Sequence, residues 1–216
     1  MHRQFVVIGL GQFGRTIALE MMRQGHQVLG LDSDQQLVNQ LAPQLTQALV
    51  VDATDEQALS ELNLHDATAV VVAIGENIQS SILCTLHLKT LKVPEVWVKA
   101  LNPAHHKILA KLGADRIVHP EYEMGLRVAQ SLNYPLVQDY IALGNEYYMV
   151  EITVSDSMDG QPLASLELDE RQVTLSAHKR GTDLQPRPPA DLVLAQGDIL
   201  LLLGKLADLQ KLSAKL

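Results

Sequence analysis

The sequence predicts an α/β protein, with a doubly wound, parallel Rossmann-type sheet followed by a small α+β lobe. Six short apolar runs alternate with five stretches of helical periodicity between residues 5 and 118, and the loops that join them are short. Continuous apolar runs are typical of parallel strands that are covered on both faces. The first run leads directly into a Gly-x-Gly-x-x-Gly turn, formed by Gly9, Gly11 and Gly14, and then into a helix. A dinucleotide-binding fingerprint requires that order of elements.

The six predicted strands are rich in β-branched residues and cover residues 5–8, 28–32, 48–51, 69–74, 96–98 and 116–118. Capping residues indicate where two of the helices between them begin: Ser33 or Asp34 for the second helix, and Thr54 or Asp55 for the third. The other four predicted boundaries are residues that end helical structure, namely Gly25, Pro43, Pro94 and Gly113.

The alternation of strands and helices ends near Pro120. An amphipathic helix is predicted over residues 122–134 and ends at Pro135. After it we predict three strands, at residues 147–154, 173–177 and 199–203. A polar loop is predicted over residues 179–190, between the second and third of these strands, and a last helix over residues 206–216. The predicted domains are therefore a nucleotide-binding domain over residues 1–135 and a C-terminal domain over residues 136–216.

Composition limits the classes of function. A net charge of −8 and a pI near 5.4 argue against a nucleic-acid partner, which would require clustered Lys and Arg. The single cysteine excludes an internal disulfide framework and fits a reducing cytoplasm. Residues 1–4 lead straight into the first strand, so no signal peptide is predicted. The longest apolar runs are far shorter than the ~20 residues that cross a bilayer. We predict an acidic cytoplasmic protein.

The carboxyl ends of the predicted strands carry the candidate site. Gly9 permits a tight turn, Gly11 lets a pyrophosphate approach the backbone, and Gly14 lets helix and strand pack closely. Asp32 ends the second strand, where a carboxylate accepts hydrogen bonds from ribose hydroxyls and repels the 2′-phosphate of NADP. The alternative role, that of a helix cap, fits Ser33 or Asp34 better.

The third, fourth and fifth strands end at the same edge. Asp52, Ala53 and Thr54 are predicted to read an adenine, although Asp52 would alternatively only cap the next helix. After the fourth strand, a close approach of backbone to ribose and phosphate and plain turn chemistry both explain Gly75, Glu76 and Asn77. Lys99 is the nearest cation for terminal phosphates, with a solvated lysine as the alternative, and Arg15 lies either there or on the surface.

No catalytic constellation accompanies this site. The sequence has no His-Glu-x-x-His, no Gly-x-Ser-x-Gly, no Walker lysine and no Tyr-x-x-x-Lys. His105 and His106 are adjacent and are predicted on the surface, and Cys84 lies among apolar helical residues and is predicted to be buried. Glu121 follows Pro120, where the helix dipole favours an acidic residue. A nucleotide site without reacting groups favours sensing over turnover.

Several motifs together resemble the KTN/RCK regulatory proteins, and most closely the cytosolic subunits of Ktr-type bacterial potassium uptake systems. The resemblance covers the whole chain. It rests on the fingerprint and on four further runs, Val-Asp-Ala-Thr, Ala-Ile-Gly-Glu-Asn, Trp-Val-Lys-Ala and Gly-Ala-Asp-Arg-Ile-Val-His-Pro-Glu, at residues 51–54, 73–77, 97–100 and 113–121.

The resemblance implies a non-enzymatic gating ring, usually an octamer built from dimers, at the inner face of the membrane under a potassium-translocating subunit. It implies binding of ATP or ADP, and in some members NAD or NADH. Asp32 would hold the ribose, Asp52 and Ala53 the adenine, and Glu121 a Mg²⁺ or Ca²⁺ ion shared across a subunit interface. The nucleotide site implied in this chain comprises Gly9, Gly11, Gln12, Phe13, Gly14, Asp32, Asp52, Ala53, Thr54, Ala73, Ile74, Gly75, Asn77 and Lys99.

This chain departs from the family at Gln12, where close relatives commonly have an arginine that contacts the terminal phosphate; Arg15 or Lys99 would have to substitute. The helix from Tyr122 is expected to form a dimer, or alternatively to pack on its own sheet. In some relatives the C-terminal lobe binds cyclic di-AMP, for which no residue here gives support. Two other functions remain open at this point: a small NAD-dependent oxidoreductase with an unrecognised catalytic site, and a nucleotide-binding scaffold for a soluble partner.

Overall fold

The computed structural model describes residues 3–133, 137–169 and 172–213. The chain forms two compact units, Met1–Pro120 and Glu121–Leu216, called here the N-terminal and C-terminal units. The predicted domain boundary and the predicted helix end at Pro135 both fall in residues 134–136, outside the described residues, and the boundary stays a prediction. None of the helices within the described ranges is both long and apolar enough to cross a membrane.

The N-terminal unit is a six-stranded sheet in which every pairing is parallel. Its strands lie in the order β3-β2-β1-β4-β5-β6, so the order reverses between β1 and β4. The bounds of these strands, β1 to β6, are Gln4–Ile8, Gln27–Asp32, Gln47–Val50, Ala69–Val72, Val96–Lys99 and Arg116–Val118. The predicted doubly wound Rossmann-type sheet is confirmed.

Five helices connect these strands and cover both faces of the sheet: α1 to α5 are Gln12–Arg23, Gln35–Leu41, Glu56–Ser60, Ile78–Thr90 and Pro103–Leu112. Side chains alternate along each strand, so one set packs on α1 and α2 while the other packs on α4 and α5. Cys84 lies in the core between the sheet and α4 and α5, with no exposed surface, as predicted. Burial raises the pKa of its thiol to about 12.

Side-chain caps explain where the helices begin. Asp34 accepts a hydrogen bond from the Gln36 N–H, and Asp55 accepts from the N–H groups of Gln57 and Ala58. Each of these caps satisfies amide donors that have no partner inside the first helical turn. The sequence left two candidates for each of these positions, and the structure selects Asp34 and Asp55.

Helix α6 runs over Pro120–Asn133 and belongs to the C-terminal unit from Glu121 onward. The unit continues in an antiparallel sheet of order β10-β9-β11-β8-β7. The five strands, β7 to β11, are Val137–Gly144, Tyr147–Thr153, Val173–Arg180, Asp183–Pro186 and Ile199–Lys205, and helix α7 follows over Leu206–Ser213. The small α+β lobe is therefore confirmed.

The predicted polar loop over residues 179–190 is wrong over residues 179–186, which form the end of one strand, a turn and a second strand. β9 extends to Arg180, and β10 pairs with it in antiparallel register across a two-residue turn at residues 181–182. All four side chains of β10 are exposed, so the strand has no apolar face for a sequence pattern to reveal. β7, which pairs with β8, is a further strand that the sequence analysis did not predict.

A buried ion cluster lies where β9 meets β11. The Asp198 carboxylate accepts hydrogen bonds from His178 Nε2 at 2.8 Å, from Arg180 Nε and a second guanidinium nitrogen at 2.8 and 2.7 Å, and from the Ala195 N–H at 2.9 Å. Burial alone would raise the pKa of Asp198, but these bonds outweigh it and hold the pKa well below its usual range. The cluster ties the two strands to the preceding turn.

Candidate functional site

The glycine turn is held between the ends of β2 and β4. The Gly9 N–H donates to the Leu31 carbonyl at 2.8 Å, and the Ala73 N–H donates to the Ile8 carbonyl at 2.7 Å. Gly9 has φ +93°, and a Cβ there would lie only 3.0 Å from the carbonyl carbon of Ala73 and 3.1 Å from the Ile74 nitrogen. A side chain is excluded at Gly9 by both conformation and space.

The other two glycines differ from each other in what surrounds them. A Cβ on Gly14 would overlap the carbonyl oxygen of Gly9, so this position requires the closest packing of helix on turn. A Cβ on Gly11 would have no atom within 4 Å. The first turn of α1 has no side-chain cap and no acidic residue. This helix terminus therefore presents amide donors and a positive dipole end beside an open space, which suits a phosphate.

Asp32 lies directly beside this turn. One carboxylate oxygen accepts from the Leu10 N–H at 2.6 Å, and the other accepts from the Asp34 N–H at 2.8 Å. The capping role belongs to Asp34, which removes that alternative for Asp32. Each carboxylate oxygen has a second lone pair, so Asp32 keeps the capacity to accept from a ribose hydroxyl.

The loop after β3 adjoins Asp32, because the Val51 N–H donates to the Asp32 carbonyl at 2.9 Å. Asp52 accepts from the N–H of Thr54 at 2.9 Å and from its hydroxyl at 2.7 Å, and these two bonds lower the pKa of the Asp52 carboxyl. Helix α3 is capped by Asp55 instead, so the alternative that Asp52 caps it is wrong. Ala53 is buried within this loop.

Lys99 comes to the same edge from β5. The ammonium nitrogen of Lys99 lies 5.7 Å from the centre of the Phe13 ring. It would lie 3.2 Å from a Cβ built on Gly75. Lys99 is 7% exposed, so the alternative of a solvated lysine is wrong. The structure thus brings together the turn after β4, the first turn of α1 and a buried cation. Asn77 caps α4 through the Ser80 N–H at 3.0 Å, which gives it a structural role.

Gln12 and Arg15 both lie on the exposed side of the first helical turn. The Gln12 carbonyl accepts from the Thr16 hydroxyl at 2.8 Å, and the Arg15 N–H donates to Gly11 at 2.8 Å. Both contacts are made by the backbone groups of Gln12 and Arg15 and not by their side chains, which lie exposed beside the fingerprint.

The histidines correct one prediction. His105 is 1% exposed, so its predicted place on the surface is wrong. Its Nδ1 accepts the Leu101 N–H at 3.3 Å at the start of α5. Burial, with a contribution from His119, lowers the pKa of His105. His106 Nδ1 lies 2.8 Å from His119 Nε2, a distance at which the two rings share a hydrogen bond.

Across the described ranges no three His, Cys, Asp or Glu side chains are grouped as metal ligands. Glu121, the residue expected to bind a cation, lies exposed in the first turn of α6.

One contact to the site was missed by sequence reasoning. The ring Nε2 of His87, in α4, lies 3.2 Å from the Thr54 carbonyl oxygen. The two residues are 33 positions apart, and no spacing rule connects them. Only the tertiary packing of α4 on the third strand's exit reveals this contact.

Two known domain families match this chain. Residues 5–120 match the TrkA-N domain, and residues 147–216 match the TrkA-C domain. The chain belongs to the family that combines these two domains. The TrkA-N match alone covers more than half of the chain and contains the parallel sheet except Gln4, the first residue of β1.

Relatives agree over nearly the full length of this TrkA-family chain. It is 41% identical over 211 residues to Ktr system potassium uptake protein A of Bacillus subtilis (strain 168), a match that covers 97% of this chain and 95% of that one. It is 37% identical over 203 residues to Ktr system potassium uptake protein A of Vibrio alginolyticus, covering 94% and 92%. The predicted membership of the KTN/RCK family is confirmed. So is the prediction of a protein that is not an enzyme, and the oxidoreductase alternative is set aside.

Solved structures share the fold of the TrkA-family chain. The RCK domain of GsuK superimposes with a TM-score of 0.68 at 16% identity, covering 99% of this chain and 47% of that one. The GsuK channel bound to NAD gives a TM-score of 0.67 at 16% identity, covering 98% and 39%. At this identity the likeness establishes the RCK fold alone. This chain spans less than half the length of each GsuK chain.

Proposed function

We propose that this chain is the nucleotide-sensing regulatory subunit of a potassium uptake system. The observation that carries the proposal is the open, uncapped N-terminus of α1 at Gly11, with the Asp32 carboxylate and the buried Lys99 ammonium at the same edge of the sheet. Potassium enters the proposal because the Bacillus and Vibrio relatives are potassium uptake proteins.

The site fits an adenine nucleotide in three parts. The amide donors at Gly11 and the charge of Lys99 would hold phosphates, and Asp32 would accept from the ribose hydroxyls. The backbone at Ala53, with Asp52 and Thr54 beside it, would read the adenine. The ligand is ATP or ADP, or NAD or NADH; the negative charge of Asp32 disfavours NADP.

The partner would be a membrane potassium-translocating subunit, approached from its cytoplasmic side. Helix α6 exposes a set of large apolar side chains, which suits contact with a second copy of the chain; they are Tyr122, Met124, Leu126, Val128 and Leu132. Such dimers would assemble into the octameric ring typical of the family. A nucleotide would then act on the ring by binding one of its shapes more tightly than the other.

Calorimetry with ATP, ADP, NAD and NADH, combined with light scattering, tests this proposal. We expect at least one of the four to bind without turnover and the chain to form an oligomer. Asp32→Ala should weaken binding at least tenfold, because it removes charge-assisted hydrogen bonds to ribose. Asp66→Ala, an exposed aspartate of the same unit, is the matched control and should bind normally. A stable monomer that binds none of the four would refute the proposal.

Glu121 is proposed to bind a divalent cation that it shares with a second copy of the chain at a subunit interface. Glu121→Gln should abolish the effect of Mg²⁺ or Ca²⁺ on the ATP-bound oligomer, with nucleotide affinity almost unchanged, because it removes one ligand charge. Glu123→Gln changes the other acidic residue in the first turn of α6 and should leave the cation effect intact. Light scattering of both variants at several Mg²⁺ concentrations makes the comparison. An equal cation response in both would rule out Glu121.

A further inference from the structure

His87 lies in the last turn of α4 and reaches a loop that belongs to a different element. Its Nε2 is 3.2 Å from the Thr54 carbonyl oxygen, and its Nδ1 is 3.6 Å from the Glu56 carboxylate. The side chain is only 15% exposed. A carbonyl can only accept, so Nε2 must carry a hydrogen and donate it to Thr54.

The other hydrogen bonds of the loop at residues 52–54 are to itself and to its neighbours in sequence, and Ala53 is buried in the same core as Cys84 and Leu88 of α4. Asp52 accepts from Thr54, and the Asp55 N–H donates to the Asp52 carbonyl at 3.0 Å. These bonds set the local shape of the loop. These local bonds do not join the loop to α4, and α3, the helix that follows the loop, has only five residues. The His87 bond joins the loop to the much longer helix α4.

Helix α4 reaches both ends of the proposed site. It begins after Asn77, two residues beyond Gly75, where a nucleotide's phosphates are expected. Its thirteen residues span about 20 Å, and His87 in its last turn contacts the loop that is expected to read the adenine. A single rigid helix therefore connects the phosphate end of the site to the adenine end.

We propose that His87 is a positioning residue for adenine recognition. By donating to the Thr54 carbonyl, it fixes the position of the neighbouring Ala53 backbone at the edge of the sheet. This inference rests on the proposed function, because it concerns the same nucleotide site. His87 itself touches no nucleotide in this proposal; it acts through the loop.

Base selectivity is the measurement that tests this role. His87→Leu removes the donor, and we expect ATP to bind about three- to tenfold more weakly, the range of one neutral hydrogen bond. Because the loop would read the base, the preference for ATP over GTP should fall as well. His87→Gln supplies an amide donor in place of the ring and should restore most of both quantities. All three proteins are compared by calorimetry with ATP and GTP, after thermal unfolding has shown equal folding.

Two controls separate this role from a purely structural one. Glu56→Gln removes the charge near Nδ1 and keeps the bond to Thr54, so affinity and selectivity should stay within twofold of wild type. His65→Leu replaces a mostly exposed histidine of the same unit and should also behave as wild type. An unchanged ATP-to-GTP preference in His87→Leu would overturn the role of His87 alone. A wild-type protein that binds no nucleotide would overturn the proposed function itself, so the two failures are distinguishable.

Discussion

Replacing Gly14 with alanine is expected to destabilise the N-terminal unit by about 3 kcal/mol and to abolish nucleotide binding. The added methyl group would overlap the Gly9 carbonyl oxygen and would lie 3.0 Å from the Ala73 side chain. Neither the turn nor the start of α1 can move away without breaking the hydrogen bonds of Gly9 and Ala73 at the ends of β2 and β1. Urea unfolding measures the loss of stability, and calorimetry with the best of the four nucleotides measures the loss of binding.

Gly11→Ala is the matched variant. Its methyl group would enter space with no atom within 4 Å, and its backbone has φ −61° and ψ −175°, which any residue adopts. We expect its unfolding free energy to stay within about 0.5 kcal/mol of wild type, while nucleotide affinity falls because the methyl group occupies the approach of the phosphates. Equal stability of Gly14→Ala and Gly11→Ala would contradict the close packing at Gly14.

Asp198→Asn is expected to destabilise the C-terminal unit by roughly 3 kcal/mol at neutral pH. The substitution keeps the volume but removes the charge that holds His178 and Arg180. The estimate is at the low end for a broken buried ion pair, because the Arg180 side chain is 51% exposed and can regain water. Urea unfolding, followed by hydrogen exchange of the β9 and β11 amides, measures the effect. Asp183→Asn changes an exposed carboxylate in the adjacent strand and should cost less than about 0.5 kcal/mol.

The same cluster sets a pH dependence. Because folding lowers the pKa of Asp198, its stabilising contribution is fully present above the pKa of an unfolded aspartate, about 3.9, and is lost as the pH falls toward the lower folded value. Wild-type stability should therefore decline below about pH 4, and Asp198→Asn should lack that component of the decline. Parallel curves for the two proteins between pH 7 and pH 3 would exclude Asp198 as its source.

The N-terminal unit was predictable from the sequence because its strands are covered on both faces. Continuous apolar runs such as residues 69–74 stand out against amphipathic helices, and the glycine turn fixes the first crossover. Even the individual roles of Gly9 and Gly14 follow from the fingerprint. Lys99 was located correctly at the edge of the sheet, but its burial depends on Phe13 and Gly75, which tertiary packing brings to it.

The C-terminal unit was less predictable because its fold depends on strand pairings between segments that are distant in the sequence. Arg180 and Asp198 face each other only through the antiparallel register of β9 and β11, in which Lys179 pairs with Ile199. No spacing rule relates these positions. His105 was misplaced for a similar reason, since its burial depends on the Leu101 N–H and on packing around the start of α5.

The position of β1 in the sheet has a consequence for synthesis of the chain. Its strand partner on one side, β2, follows within a few residues of α1, but on the other side Phe5 pairs with Ala69 of β4. A ribosome adds about 5–20 residues per second, so this edge of β1 waits roughly 3–13 seconds for its partner. The glycine turn and Asp32 emerge early, whereas Ala73 and Lys99 emerge late. During that interval the half-built sheet exposes an open strand edge, which is the form most prone to pair with another nascent chain.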